Sequence, residues 1–247
     1  DNCGTDLPFT GPVVSADPSC GGIKTYTYEF TDCTGATFDW VYTYTIDVPT
    51  YALPAAGGST VACLANAQTA PTVVTVTDNC GTDLPFTGPV VSADPTCGGI
   101  KTYTYEFTDC TGATFDWVYT YTIAAPTYTV PAAGGSAVAC ATDAQAAPTV
   151  PTVTDNCGTD LTFTGPVTSA DPACGGVKTY TYEFTDCTGA TFDWVYTYTI
   201  AAPTYTVPAA GGSAVACATD AQAAPTVPTV TDDCGTALTF TGPVTSA

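Results

Sequence analysis

The stretch KTYTYEFTDCTGATFDWVYTYTI occupies residues 178–200 of this 247-residue chain and occurs letter for letter at 24–46 and 101–123. The same 77-residue spacing separates the copies of a second motif, DNCG or DDCG, which begins at Asp1, Asp78, Asp155 and Asp232. A unit of this length is longer than a solenoid repeat and can fold as a small domain. The sequence therefore predicts an array of similar small domains, and we interpret it as part of a longer array.

Within the repeated stretch, aromatic and polar residues alternate. Tyr180, Tyr182 and Phe184 fall on one face of an extended chain, and the threonines between them fall on the other. The residues from Phe192 to Ile200 alternate in the same way, and the Asp-Cys-Thr-Gly segment between the two halves has the composition of a turn. The stretch therefore predicts an antiparallel hairpin with its aromatic face turned inward.

Weaker strand signals precede the hairpin in each unit. Ser136–Cys140 and its copy Ser213–Cys217 predict a first strand, Thr149–Asp155 a second and Leu161–Val167 a third. A sustained helical period is missing from the sequence, and Thr, Pro and Gly disfavour helices. We therefore expect an all-β fold of tandem Ig-like antiparallel β-sandwich domains that are stapled by disulfides.

Proline-rich segments mark the predicted domain boundaries, because proline lacks a backbone donor and suits a semi-rigid connector. They read DVPTYALPAAGG in the first copy and AAPTYTVPAAGG in the later ones. We expect complete domains at 49–125 and 126–202. Residues 1–48 would be a partial repeat without its first strand, and residues 203–247 one without its last strands.

The charge excludes several classes of function. Three basic residues stand against 23 acidic ones, and the formal net charge is −20. Such a chain repels phosphate backbones and anionic lipids, so nucleic-acid binding is not expected. The sequence has no run of 18 apolar residues, so membrane insertion is not expected either. Without histidine there is no imidazole base to pair with a nucleophile, and near-identical copies offer no specialised pocket, so we expect no enzyme activity.

Four cysteines per unit predict structural disulfides, because their spacings differ from those of compact zinc sites. Cys174 and Cys187 flank one extended strand, which holds them too far apart to bond. In an Ig-like strand order Cys157 and Cys187 share one pole of the sandwich, and Cys140 and Cys174 share the other. The predicted bonds are Cys140–Cys174, Cys157–Cys187, Cys63–Cys97, Cys80–Cys110 and Cys3–Cys33. The remaining cysteines, Cys20, Cys217 and Cys234, are expected to have partners beyond these 247 residues.

The pattern TDNCG, then K-T-Y-T-Y-E-F-T-D-C-T-G, then Y-T-Y-T-I resembles the hyalin-repeat and related Ig-like modules, most clearly at Asp155–Gly158 and Thr179–Thr188. Such modules occur in tandem in very large cell-surface adhesins, including gliding-motility adhesins of Bacteroidota. The resemblance implies a secreted, extracellular Ig-like protein that serves as a stalk or adhesive filament.

Aspartates at one predicted pole allow two interpretations. Asp155, Asp160, Asp186 and Asp193 could supply the oxygen ligands of a Ca²⁺ ion that stiffens the array. The alternative is that aspartate favours turns and strand ends, where its side chain accepts hydrogen bonds from the local backbone. The EF-hand spacing is absent from the sequence. Calcium is therefore a possible cofactor and no other is expected.

Lysine and threonine also have alternative roles. Lys178 could form an isopeptide bond assisted by Glu183, but the two residues face opposite sides of the strand. An edge lysine that discourages stray strand pairing is the other interpretation. Exposed Thr102 and Thr104 could bind ice.

Aromatic strand faces raise a related alternative, a surface on which glycans stack. Trp40, Trp117 and Trp194 are expected in the core instead, since a small unit has few other large apolar side chains.

These observations predict an extracellular filament or adhesin stalk that gives reach and multivalent attachment. A module that binds glycan or ice through its repeats is the alternative. The expected partners are neighbouring repeats of the same chain and further copies that associate into fibres; the external surface or glycan bound is not predicted.

Overall fold

The computed structural model describes residues 4–243, and these fold almost entirely into strands and irregular segments. The strands are β1 Phe9–Val14, β2 Gly22–Thr31, β3 Thr37–Ile46, β4 Gly57–Val61, β5 Phe86–Val91, β6 Gly99–Thr108, β7 Thr114–Ile123, β8 Gly134–Val138, β9 Thr162–Thr168, β10 Gly176–Thr185 and β11 Thr191–Ile200. Short 3-10 helices occupy Leu64–Ala67, Ala141–Ala144 and Ala218–Ala221.

The predicted hairpin is confirmed as β10 and β11, which pair antiparallel without a register shift from Gly176↔Ile200 to Thr185↔Thr191. Its turn is held by Asp186, whose Oδ1 accepts from the backbone amides of Thr188 at 2.8 Å and Ala190 at 3.0 Å. The identical stretches upstream form the same hairpins from β2 with β3 and from β6 with β7.

The chain divides into two units, residues 1–125 and 126–247. The second unit holds a four-stranded sheet in the order β8-β11-β10-β9, and the first unit holds an equivalent sheet in the order β4-β7-β6-β5. In both, the first strand runs parallel to the last strand of the hairpin, so each sheet is mixed rather than purely antiparallel. The first unit also holds a three-stranded sheet, β1-β2-β3.

The core of each complete repeat lies on the aromatic face of its sheet. Tyr180, Tyr182 and Phe184 are buried, and Phe184 is fully inaccessible. They pack against Val153 and the half-buried Leu161 from the irregular segment that precedes β9. The first unit repeats this packing around Phe107. The expected all-β, Ig-like sandwich is therefore confirmed, with an irregular segment of chain covering the aromatic face of the sheet.

Two of the weaker strand predictions need correction. Thr149–Asp155 is not a strand; Thr154 makes one isolated bridge, to Asp160. Pro148 and Pro151 remove the backbone donors that a ladder would need. Ser213–Cys217 is likewise irregular, although its identical copy at 136–140 lies largely in β8.

Close packing around Gly134 leaves no room for a side chain there. This gives a test of β8, the first strand of its unit. A Cβ added at Gly134 would lie 2.4 Å from Tyr196 Cδ2 and 2.9 Å from Trp194 Cζ2. We expect Gly134→Ala to lower the free energy of unfolding by about 1–3 kcal/mol, measured by urea unfolding, because the rings have to move.

The matched control is Gly211→Ala, at the same place in the following repeat. A Cβ there has no atom within 4 Å. At low protein concentration this variant should unfold at the wild-type urea concentration, and equal effects at Gly134 and Gly211 would contradict the packing of β8.

Candidate functional site

The first disulfide joins two successive repeats. Cys20 lies just before β2, and Cys110 lies in the turn after β6. Their Cα atoms are 5.3 Å apart, and 90 positions separate them in the sequence. Because this separation exceeds the 77-residue period, the bond connects one repeat to the next instead of closing a loop within one repeat.

The second disulfide also joins two successive repeats. Cys140 immediately precedes the helix Ala141–Ala144, and it bonds Cys234, 94 positions later, with Cα atoms 5.6 Å apart. The turn that carries Cys234 is held by Asp232, whose Oδ1 accepts from the amide of Cys234 at 3.0 Å and from that of Thr236 at 2.8 Å. Turn chemistry therefore positions the cysteine for a bond to the preceding repeat.

These bonds correct two of the predicted pairs. Cys110 bonds Cys20, so the predicted Cys80–Cys110 bond is wrong, and Cys80 is an exposed free thiol. The expectation that the partner of Cys20 lies beyond these residues is also wrong. The prediction confined each bond to one repeat, whereas the turn between β6 and β7 lies beside the start of β2, the first strand of the preceding hairpin.

The predicted Cys140–Cys174 bond is wrong for the same reason. Cys140 bonds Cys234, which was expected to have a distant partner, and Cys174 is an exposed free thiol. Cys174 nevertheless lines a cavity of about 320 Å³ together with Cys140 and Cys234. Cys140 and Cys174 therefore line the same cavity without bonding each other.

The other cysteines divide into two groups. Cys33 and Cys217 are exposed free thiols, so the predicted Cys3–Cys33 bond is not formed; Cys3 itself lies outside the described residues. The remaining cysteines all belong to disulfides, namely Cys63, Cys97, Cys157 and Cys187. Their predicted pairings, Cys63–Cys97 and Cys157–Cys187, stay predictions.

The candidate calcium ligands accept hydrogen bonds from their own turns. Asp155 Oδ1 accepts from the amides of Cys157 at 2.8 Å and Thr159 at 2.9 Å. Asp186 Oδ1 accepts from the hydroxyl of Thr188 at 2.6 Å as well as from two amides. These bonds, the Thr188 hydroxyl first, hold the pKa of Asp186 below its usual range.

The other two candidate ligands do not complete a site. Asp160 Oδ1 accepts from the hydroxyl of Thr154 at 2.6 Å, and Asp193 lies opposite Glu183 on the hairpin. Within residues 4–243, the carboxylates and thiols that come within 4.8 Å of one another in threes are those of Asp232, Asp233 and Cys234. Since Cys234 is in a disulfide, its sulfur is not a thiolate ligand. The geometry favours the turn interpretation of these aspartates.

The lysine of each complete repeat is buried, contrary to the edge-strand interpretation. Lys101 lies on β6, between β5 and β7, and its Nζ is 2.6 Å from Asp94 and 2.7 Å from the side-chain oxygen of Gln68. It also lies over the ring of Tyr103, 5.7 Å from the centroid. Lys178 has equivalent partners in the second unit. Hydrogen bonding to Asp94 raises the pKa of Lys101 and lowers that of the carboxyl.

Sequence reasoning missed the partners of this lysine. Asp94 and Gln68 recur in the second unit as Asp171 and Gln145, and Gln145 donates to Asp171 at 3.1 Å. The sequence did contain a signal, since the aspartate and the glutamine recur in each complete unit at a constant number of positions from the lysine. Period-two reasoning could not find it, because Gln68 approaches from outside the sheet.

The three tryptophans differ in how far they are buried. Trp117 and Trp194 are 3% and 6% exposed, so their place in the core is confirmed, and their indole N–H groups donate to the carbonyls of Ala55 and Ala132 at 2.8 Å. Trp40 is 51% exposed, so its expected burial is wrong for the described residues. Because the rings of Trp117 and Trp194 are buried, they cannot stack on glycans. In the complete repeats these tryptophans therefore do not support the glycan-binding alternative. A threonine-based face stays a prediction.

The comparison with protein families agrees with this repeat structure. The model of the HYR-like domain with 4 cysteines matches residues 1–46, 51–123, 128–200 and 205–247. The chain belongs to this family. The four matches give four tandem HYR-like repeats, while the domain boundaries proposed from the prolines stay a prediction. No curated protein matches the chain.

Solved structures show a distant likeness to the HYR-like chain. The protocadherin GammaB4 extracellular domain is 12% identical with a TM-score of 0.28, over 74% of this chain and 40% of that one. The protocadherin gammaB7 EC3-6 cis-dimer structure is 11% identical with a TM-score of 0.27, over 78% of this chain and 68% of that one. This chain therefore spans less than half of the first structure, and the family assignment depends on the sequence match.

The hydrogen-bonded carboxyls predict a loss of stability in acid. The pKa values of Asp94, Asp109, Asp171 and Asp186 lie below the ordinary value of 3.8 in the folded protein. The stability that they give is therefore complete above that value and is lost as the pH falls through their folded-state pKa values. We expect the urea midpoint to fall between about pH 4 and pH 2, and to fall less steeply in Asp109→Asn. A midpoint that rises on acidification would contradict this.

Chelation tests the aspartates directly. Because their oxygens already accept hydrogen bonds from the turns, we expect EDTA to leave the melting temperature of the protein unchanged, measured by circular dichroism. A lower melting temperature in EDTA that is restored by added Ca²⁺ would contradict the turn interpretation.

Proposed function

We propose that the chain is an extracellular structural filament or adhesin stalk whose tandem repeats give reach and multivalent attachment. The observation that carries the proposal is the pair of disulfides Cys20–Cys110 and Cys140–Cys234, each of which ties one repeat to the next. An adhesion-type module needs to transmit force without lengthening, and bonds between repeats serve that purpose directly.

The disulfides also support the extracellular location, because such bonds persist in oxidising compartments and are rare in reducing ones. The four HYR-like matches in tandem support an adhesion-type module. Among residues 4–243, every helix is too short or too polar to cross a membrane. The finer assignment, to a large adhesin of the Bacteroidota gliding-motility type, rests on the sequence resemblance alone.

Bonds between repeats shorten the path along which force travels. When the chain is pulled from its ends, tension passes through the two disulfides and bypasses residues 21–109 and 141–233. Although β7 lies outside these stretches, the hairpins of β2 with β3 and of β10 with β11 lie within them. They stay folded under load, so the weak binding contacts of many repeats would act together along one thread.

A pulling experiment tests the proposal. The oxidised chain, held at residues 1 and 247, should extend to about 200 Å, since roughly 60 residues at ~3.4 Å each lie outside the loops. The reduced chain should reach about 800 Å. Single-molecule force spectroscopy with and without reductant measures both lengths.

The control is the double variant Cys20→Ser with Cys140→Ser, which should lengthen in oxidising buffer because it lacks both bonds. Equal extension of the oxidised and reduced wild-type chain would contradict the role in bearing load.

A further inference from the structure

Three polar side chains meet at one point beside the central strand of the first complete repeat. Lys101 is 4% exposed, and its Nζ atom lies 2.7 Å from Gln68 Oε1 and 2.6 Å from Asp94 Oδ1. Gln68 Nε2 donates to Asp94 Oδ2 at 3.1 Å, which closes the triangle. One carboxylate oxygen therefore contacts the amine, and the other contacts the amide nitrogen. We call these three residues the amide–lysine cluster.

The second complete repeat holds the same cluster. Lys178 Nζ lies 2.7 Å from Gln145 Oε1 and 2.6 Å from Asp171 Oδ1, and Gln145 Nε2 donates to Asp171 Oδ2 at 3.1 Å. Each cluster lies within one unit of the structure and within one of the HYR-like matches, 51–123 and 128–200. Its geometry is therefore a property of the complete repeat and needs no neighbouring repeat.

The amide carbon of the glutamine lies close to the lysine amine. Because a C=O bond is ~1.23 Å long, Gln68 Cδ lies within about 4 Å of Lys101 Nζ. Groups held at roughly 3–3.5 Å react with effective molarities of about 10⁵–10⁸ M. An ion pair with Asp94 needs no amide, whereas the glutamine places an electrophilic carbon next to the amine.

Packing holds both reaction partners in place. The Nζ atom of Lys101 lies 5.7 Å from the centroid of the Tyr103 ring on the same strand. Gln68 follows the 3-10 helix Leu64–Ala67, and the carbonyl of the buried Ala67 accepts from the hydroxyl of Tyr103 at 2.8 Å. Tyr103 therefore fixes the segment that carries the amide against the strand that carries the amine, which lowers the entropy lost on reaction.

We propose that each complete repeat forms an isopeptide bond between the glutamine and the lysine of its amide–lysine cluster. The carboxyl of the same cluster carries the proton. Such a bond ties the segment that covers the sheet to the central strand, and unlike a disulfide it persists in reductant. The inference goes beyond the proposed function, which depends on disulfides between repeats. The two bonds join Gln68 to Lys101 and Gln145 to Lys178.

The assisting acid is not the one that the alternation of the strand suggested. Glu183 lies on β10 with Lys178 but faces the opposite side of the strand. Asp171 lies in the segment between β9 and β10, and its carboxylate reaches Lys178 Nζ directly. The objection to Glu183 therefore does not apply to Asp171.

The reaction balances without a co-reactant. Lys101 rests as an ammonium, because hydrogen bonding to Asp94 raises its pKa. Asp94 accepts one proton from Nζ, and the lone pair of the amine forms a bond to Gln68 Cδ. The carboxyl gives this proton to Nε2, the Cδ–Nε2 bond breaks, and ammonia leaves. Nζ releases a second proton, which the ammonia takes up, so the products are the isopeptide, an ammonium ion and the original carboxylate.

Exposure at the edge of the cluster lets the product leave. The Asp94 side chain is 48% exposed and Gln68 is exposed, while Lys101 is buried. Ammonia therefore has a path to solvent, where dilution prevents the reverse reaction. Because the neutral amine is the minor form of Lys101, the bond forms slowly and once per site as the protein matures.

Intact mass tests the proposal on the 247-residue chain. After reduction and alkylation, we expect the wild type to weigh about 34 Da less than its alkylated sequence, because two molecules of ammonia are lost. The full mass after prolonged incubation at neutral pH would overturn the proposal. A deficit of about 36 Da would also overturn it, because loss of water would make Asp94 and Asp171 the acylated residues.

Substitutions in the first complete repeat use the second as an internal control. Lys101→Arg keeps a cation but removes the amine, and Asp94→Ala removes the proton carrier. Each variant should lower the deficit to about 17 Da, because the cluster of Lys178 is unchanged. Thr102→Ser, on the opposite face of β6 from Lys101, should keep the full deficit. A full deficit in Lys101→Arg or Asp94→Ala would overturn the assignment.

Protease mapping locates the bonds. Trypsin cleaves after a free lysine and not after an acylated one, so the reduced, denatured wild type should resist cleavage after Lys101 and Lys178. Lys24 is the control, since these 247 residues hold no glutamine 33 positions before it, the separation found in the clusters. Cleavage after all three lysines would overturn the proposal. Chymotrypsin should release branched peptides that join Gln68 to Lys101 and Gln145 to Lys178.

The same bonds shorten the reduced chain in the pulling experiment. They hold back residues 69–100 and 146–177, so the reduced wild type should stop roughly 200 Å short of its fully extended length. The double variant Lys101→Arg with Lys178→Arg should reach that length, and equal lengths of the two would overturn the isopeptide bonds. The difference between oxidised and reduced chains still tests the disulfides, so failure of this inference is distinguishable from failure of the proposed function.

Discussion

An aromatic sheet face that has to be covered by the preceding segment of the same chain is the constraint on which the structure depends. Each hairpin presents a row of tyrosine, phenylalanine and tryptophan side chains that cannot bury themselves. Trp117 reaches burial because Ala55 and Gly57 lie against it, whereas the identical Trp40 stays half exposed. Burial of large aromatic side chains dominates the stability of a small core, so the covering segment is as necessary as the hairpin.

The disulfides between repeats make each repeat depend on its neighbour as well as on its own covering segment. In each of Cys20–Cys110 and Cys140–Cys234, the second cysteine lies in a turn that aspartate hydrogen bonds hold in place, and each bond spans more than one repeat period. Neighbouring repeats are therefore joined by a disulfide as well as by the main chain. A bond between neighbours would carry tension past the hairpins of β2 with β3 and of β10 with β11, as the proposed load-bearing role requires.

The lysines of the complete repeats lie at specific positions in the fold. The chain is strongly acidic, yet its few lysines are not spread over the surface. Lys101 and Lys178 are buried beneath Gln68 and Gln145, paired with Asp94 and Asp171. A buried, paired cation fixes how the covering segment sits on the sheet, because a shifted segment would leave the ammonium without its amide partner.

The sequence by itself determined the hairpins, their inward aromatic faces, and the turns at Asp186 and its copies. These depend on alternation and turn chemistry, which are local. Only the tertiary structure decided that Cys140 bonds Cys234 rather than Cys174, that Gln145 caps Lys178, and that Thr149–Asp155 covers the core without becoming a strand. The disulfide depends on which segment of an adjoining repeat lies nearest, and near-identical repeats give local sequence no means of distinguishing one neighbour from another. The other two outcomes depend on how the covering segment of the same repeat packs on its sheet.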